Sequence, residues 1–153
     1  VLAAGFLAGC GGSGTGDAGL RDLSARFAAE VPDTVLFEFN RSDLDLEARA
    51  ILDAQAAFIR TYPQVWFRVE GHADRVGSPA YNQALGLRRA NAALDYLVTR
   101  GVNREQLEAL VSFGEDRPAV ETEDRERRNR RVVTEVGGLL DPECKCRKRP
   151  GVQ

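Results

Sequence analysis

The 153-residue chain has no methionine, one histidine, one tryptophan and three cysteines, and only two of its 21 basic residues are lysines, Lys145 and Lys148. From the missing methionine, a precursor start upstream of Val1 is expected. A single histidine with scattered carboxylates gives no metal-ligand spacing, since a zinc site needs three or four clustered donors. No metal and no cofactor are expected. Cys10 lies near the start and Cys144 and Cys146 lie in a basic tail, so the central segment has no disulfide framework and must hold by packing. No apolar run approaches the roughly 20 residues that cross a bilayer. A surplus of one charge sign is lacking too: 21 basic against 23 acidic residues give a net charge of −2. That supplies no general field for a nucleic-acid backbone, and nucleic acid is not an expected partner. What the chain does have is 43% apolar residues, enough for one packed domain of about 100 to 150 residues with tails.

The opening "VLAAGFLAGC" is a short apolar run closing on small residues and cysteine. Leu7-Ala8-Gly9-Cys10 resembles the lipobox of bacterial lipoproteins, which implies cleavage before Cys10 and lipidation of its thiol. The "GGSGTGDAG" that follows has the composition of a flexible tether. Residues 1–9 are thus read as a signal-peptide remnant and 10–32 as a lipidated cysteine, a tether and a short helix carrying Leu20, Leu23 and Phe27. The folded domain is placed at 33–137, and 138–153 is read as a basic, disordered tail.

Periodicity orders the domain. "VLFEF" (35–39) alternates as a half-buried strand. Ser42 offers a helix cap, and Leu44, Ala48, Ile51, Leu52, Phe58 and Ile59 form one stripe of a helix reaching Arg60. "VWFRVEG" (65–71) is a second strand after Pro63. Ser78 and Pro79 open a second helix with a stripe of Ala80, Ala84, Leu87, Ala90, Leu94 and Leu97, which Gly101 stops. "LEALVSFG" (107–114) and "RVVTEV" (131–136) add two strands. The order β-α-β-α-β-β indicates an α/β sandwich, with a mixed sheet and helices packed on one side.

Chemistry concentrates in "GHADRVGSPAYNQALGLRRAN" (71–91). Asp74 falls in the loop after the second strand, and Gly77 permits the turn into the helix. Asn82 and Arg89, seven residues apart, share one helix face, read here as distinct from the apolar stripe. Gly86 lies between them, where a mid-helix glycine costs about 1 kcal/mol relative to alanine. The bare backbone suits close approach of a ligand along a groove, or packing against another element. A carboxylate, an amide and a guanidinium on one groove suit a zwitterion, because arginine grips a carboxylate with paired hydrogen bonds and aspartate accepts from an ammonium.

"GHADRVGSPAYNQALGLRRANAALDYL", "VSFGEDRPAV" and "RNRRVV" resemble the OmpA-like peptidoglycan-binding family over about residues 33–137. With the lipobox, the likeness is to that family's lipoprotein branch, the peptidoglycan-associated lipoproteins. The resemblance implies non-covalent, non-enzymatic binding of the diaminopimelate residue of the peptidoglycan stem peptide. It implies that Asp74 receives the ammonium end and Arg89 the carboxylate end, with Asn82 and Arg130 at further groove positions and Gly86 as a possible groove residue. It also implies Tol-system partners and an outer-membrane location, anchored by lipid with the domain in the periplasm. Ala73 and Gly86 stand where many members have threonine and serine, but the resemblance implies that the lipoprotein branch commonly has alanine and glycine there.

Two other readings remain at this point. His72 beside Asp74 would suit a peptidoglycan hydrolase, but no nucleophile motif accompanies it, and a strand-end histidine satisfied by local hydrogen bonds is the favoured account. An OmpA-like anchor for another envelope machine is the other alternative. "ETEDRERRNRR" (121–131) reads as a solvated loop except at Asn129 and Arg130, which abut the last strand.

Overall fold

The structure, a computed structural model, describes residues 15–139. Its elements are α1 (Thr15–Glu30), β1 (Thr34–Leu36), α2 (Leu46–Thr61), β2 (Val65–His72), α3 (Pro79–Thr99), β3 (Leu107–Gly114) and β4 (Arg131–Leu139), with single 3₁₀ turns at Arg104–Gln106 and Arg127–Asn129. The expected β-α-β-α-β-β order is present, preceded by α1. Cys10 and the 140–153 tail, Cys144 and Cys146 included, lie outside the described residues.

The sheet runs β1-β4-β2-β3. β2 and β3 are parallel and joined through α3, while β4 is antiparallel to both β1 and β2. Parallel neighbours need a long crossover, and α3 supplies it. Alternation sends Val65, Phe67 and Val69 to one face, where they join Val132 and Val136 of β4. Leu52 and Ile59 of α2 and Ala90, Ala93, Leu94 and Leu97 of α3 cover them, each at most 0% exposed. Phe27 of α1 meets Phe58 of α2 edge-on at 5.2 Å in the same core. All three helices therefore pack on one side of a mixed sheet. Truncating one of these side chains, as in Leu94→Ala, costs about 2–5 kcal/mol. The other face carries the ion pairs Arg68–Glu70 and Arg68–Glu135, at 3.4 and 3.7 Å.

Several local expectations are corrected. The helix before β1 begins at Thr15, inside the stretch read as a tether, and Leu23, Phe27 and Val31 pack into the core. α2 is capped by Asp45, whose carboxylate accepts from Ala48 N at 2.8 Å, and not by Ser42. The capping oxygen must stand one residue before the first helical turn, and Ser42 stands too far upstream. β1 stops at Leu36, short of the 35–39 strand, because the carbonyls that follow have other donors. Phe37 O accepts from Arg130 Nε, while Glu38 O and Arg41 O accept from Arg89.

The largest correction is the rotation of α3. Ala80 and Ala84 are exposed and Leu87 is 43% exposed, whereas Asn82, Leu85, Gly86, Arg89 and Ala93 are buried. The face holding Asn82 and Arg89 is thus the sheet-facing one. Its caps are as expected: Ser78 Oγ accepts from Tyr81 N at 3.2 Å, and Gly101 at φ +90° closes the far end.

Candidate functional site

The parallel strands β2 and β3 end together, with Ala73 N donating to Gly114 O at 2.8 Å. At that edge the first turns of α3, the segment after β1 and the turn before β4 converge. Arg89 links three of them. Its Nε donates to Arg41 O at 2.8 Å, Nη1 to His72 O at 2.9 Å and Nη2 to Glu38 O at 3.2 Å, with the guanidinium 5.4 Å from the Phe37 ring centre. The residue is 0% exposed, and burying a cation is tolerable only when it is paired and hydrogen-bonded. Burial pulls its pKa down to about 10 and Arg130 lowers it too, while Asp74 opposes the shift. Arg89 therefore stays cationic at neutral pH. Three of a guanidinium's five N–H donors are engaged, which leaves two for another acceptor.

Asp74 and Arg130 meet directly. Arg130 Nη1 lies 3.1 Å from Asp74 Oδ2, and Arg130 Nε donates to Phe37 O at 2.9 Å. Asn129, just before it, is a structural pin rather than a ligand group. Its Oδ1 accepts from Ala119 N and Val120 N, and its Nδ2 donates to Val120 O. It orders the loop after β3 and so fixes where Arg130 begins β4.

Asn82 reaches toward β3, and its Nδ2 donates to Glu115 Oε2 at 2.6 Å. Its Oδ1 is buried without a partner, 3.4 Å from where a Cβ on Gly77 would stand. Gly77 has φ +114°, a conformation that strongly favours glycine. Gly86, expected as a groove position, belongs to helix–sheet packing instead. A Cβ there would stand 2.3 Å from Ser112 Oγ and 3.0 Å from Gly71 O, so no ligand passes over this backbone.

His72 is not satisfied by hydrogen bonds as expected. It is 2% exposed, neither ring nitrogen has a partner among the described residues, and its ring lies 5.6 Å from that of Phe113. Burial, with Arg131 and Arg117 adding repulsion, depresses its pKa to about 4. It makes no hydrogen bond with Asp74.

Sequence reasoning thus placed Asp74, Asn82, Arg89 and Arg130 at one edge, and missed Glu115. The signal was present: Glu115 directly follows a strand parallel to β2, as Asp74 follows β2 at a two-residue distance. Among the described residues no group of histidine, cysteine and carboxylates is disposed to hold a metal.

Residues 36–131 match the OmpA family model. A peptidoglycan-associated lipoprotein of Rhizobium meliloti is 40% identical over 114 residues, covering 73% of this chain and 64% of that relative. One from Pasteurella multocida is 41% identical over 116 residues, covering 74% and 73% respectively. The crystal structure of the peptidoglycan-associated lipoprotein from Burkholderia pseudomallei superimposes with a TM-score of 0.65 at 31% identity, over 69% of this chain and 90% of that one.

Proposed function

The chain belongs to the OmpA family, and on that premise we propose that it binds peptidoglycan non-covalently, without cleaving it, and links the outer membrane to the cell wall. The site recognises the diaminopimelate residue of the stem peptide, whose free end carries an ammonium and a carboxylate on one carbon. The observation that carries this reading is the convergence of Asp74, Asn82, Arg89 and Arg130 at the shared end of β2 and β3. Asp74 and Arg130 present a pre-formed ion pair, and Arg89 is a second cation fixed by three backbone carbonyls with donors to spare. The set carries one net positive charge, so a zwitterion can pair its carboxylate with Arg89 while its ammonium shares the Asp74 carboxylate with Arg130. The names of the relatives support association with peptidoglycan.

Attachment by lipid at Cys10, an outer-membrane location with the domain in the periplasm, and Tol-system partners complete the proposal. They rest on the lipobox and on the family resemblance. Among the described residues no helix is long and apolar enough to cross a membrane.

The hydrolase reading is disfavoured by His72, neither of whose ring nitrogens has a hydrogen-bond partner among the described residues, Asp74 included. Incubating the protein with purified sacculi separates the two. Binding without release of soluble muropeptides is expected; release that stops in His72→Ala would establish the hydrolase instead. Free diaminopimelate at about 100 times its Kd should also stabilise the protein by about 2.7 kcal/mol.

A further inference from the structure

β1 forms the sheet edge opposite to β3, and β4 is its one strand neighbour. Val35 pairs with Val132, Phe37 N donates to Arg130 O and Thr134 N donates to Asp33 O, so Asp33, Val35 and Phe37 turn their backbone groups toward β4. Alternation turns the N–H and C=O of Thr34 and Leu36 the other way, to the free edge. Among the described residues no backbone partner meets these four groups. Such an edge is a template for a further strand. β1 has no proline, lysine or bulge to blunt it, although its three-residue length limits the pairing to a few bonds.

Beside this edge lies a groove of about 260 Å³, lined by the apolar Leu36, Ala48 and Ile51 and by the charged Asp45, Glu47 and Arg127. It is smaller than the roughly 300–1,000 Å³ of small-molecule pockets, so it seats a side chain or two and not a whole ligand. Charge chooses among occupants. Arg127 stands 3.8 Å from Glu38, 3.8 Å from Asp45 and 3.9 Å from Glu47, too far for a hydrogen bond to any of them. Three carboxylates thus share one guanidinium, and the rim has an acidic surplus. Pairing with β1 of a second copy would bring two such rims together, which like charges disfavour, whereas a basic segment complements the rim. Leu46, between Asp45 and Glu47 in the chain, is 84% exposed and adds apolar surface at the same end.

We propose that the free edge of β1 docks an extended, basic peptide segment of a partner protein. The segment adds as a strand beside Thr34–Leu36, seats an apolar side chain against Leu36, Ala48 and Ile51, and sets a lysine or arginine at Glu38, Asp45 and Glu47. Backbone bonds supply affinity, and the groove and rim supply selectivity. β4 separates this edge from β2 and β3, and the proposal stands independently of the peptidoglycan reading.

Nuclear magnetic resonance of the full chain tests it, with a capped peptide of alternating valine and threonine ending in two lysines as the probe. Saturating peptide should slow hydrogen exchange at the Thr34 and Leu36 amides about tenfold or more and leave the Val35 amide, which already faces β4, unchanged. Glutamates in place of the two lysines should weaken binding about threefold or more, and Glu47→Lys should cancel or reverse that preference. Only alternate N–H groups of an added strand face β1. Of two peptides N-methylated at alternate residues in opposite phase, one should therefore lose affinity about tenfold or more while the other keeps it. The proposal falls if the lysine peptide does not bind, if it binds without protecting Thr34 and Leu36, or if the two methylated peptides bind equally. Protection that grows with protein concentration in the absence of peptide would assign the edge to a second copy. Concentration-independent protection without peptide would assign it to another segment of this chain, and either result overturns docking of a partner.

Discussion

Arg130 Nη1 lies 3.1 Å from Asp74 Oδ2, with side chains 8% and 3% exposed. The pair joins the start of β4 to the loop after β2, and Arg130 also bonds the Phe37 carbonyl. Removing one partner leaves an uncompensated buried charge, which typically costs about 3–5 kcal/mol. Asp74→Ala and Arg130→Ala should each destabilise the fold by about that amount in urea titrations, and the double variant should cost less than the sum of the two. Strict additivity would show the pair is not energetically coupled. Because stability falls too, sacculus binding by these variants has to be read at a temperature where the folded fraction is measured.

Arg89 and Arg88 are adjacent in sequence and opposite in consequence. Arg89→Ala strips the donors from the carbonyls of Glu38, Arg41 and His72 and should cost about 3–5 kcal/mol. Arg89→Lys keeps the charge but not the planar fork and should recover only part of this. Arg88 is exposed, with its guanidinium 5.5 Å from the Tyr81 ring centre, so Arg88→Ala should shift stability by no more than about 0.5 kcal/mol. Thermal melts of the three variants check the helix phase; a silent Arg89→Ala beside a damaging Arg88→Ala would mean the helix is rotated.

Gly86→Ala pits two effects against each other. Helix propensity favours alanine by about 1 kcal/mol. The new Cβ would stand 2.3 Å from Ser112 Oγ, and overpacking typically costs about 1–3 kcal/mol. The clash should win, so Gly86→Ala is expected to be destabilised, with Ser112→Ala restoring part of the loss. Gly71→Ala should be worse, since its Cβ would meet the backbone oxygen of Gly86, which cannot swing aside. Stabilisation by Gly86→Ala would show that α3 does not press on the sheet here.

These glycines mark where the sequence was legible and where it was not. Strand β3 and the caps of α3 follow from patterns a few residues long, and the structure places them at Leu107–Gly114, Ser78 and Gly101. The buried face of α3 does not follow from such patterns. Arginine and asparagine count as polar in any periodicity, so apolar spacing alone favours a stripe through Ala80, Ala84 and Leu87 instead. What makes burial of Arg89 tolerable is a set of carbonyls supplied in part from 48 and 51 residues away. Asp74, Asn82 and Arg89 are drawn together by their spacing in one short stretch, whereas Arg130 joins them only through the resemblance. Glu115 went unnoticed because its significance depends on Asn82, 33 residues earlier in the chain.

His72 makes stability depend on pH. Its pKa falls from the ordinary 6.5 to about 4 in the folded protein, chiefly through burial. Between these values the unfolded chain takes up a proton that the folded one refuses, so stability must drop as pH falls from about 6.5 to about 4. Below that range both states are protonated and this contribution changes no further. The full difference is at most about 3.5 kcal/mol, because the pKa falls by about 2.5 and one pKa unit corresponds to about 1.4 kcal/mol. His72→Phe retains a ring against Phe113 and cannot titrate, so its stability relative to wild type should rise as pH falls through this window. Urea denaturation at pH 7, 5.5 and 4 gives the comparison, with carboxylate contributions common to both proteins cancelling. Parallel pH profiles for the two would mean that His72 takes up its proton as readily in the fold as in the unfolded chain, which would overturn the burial argument.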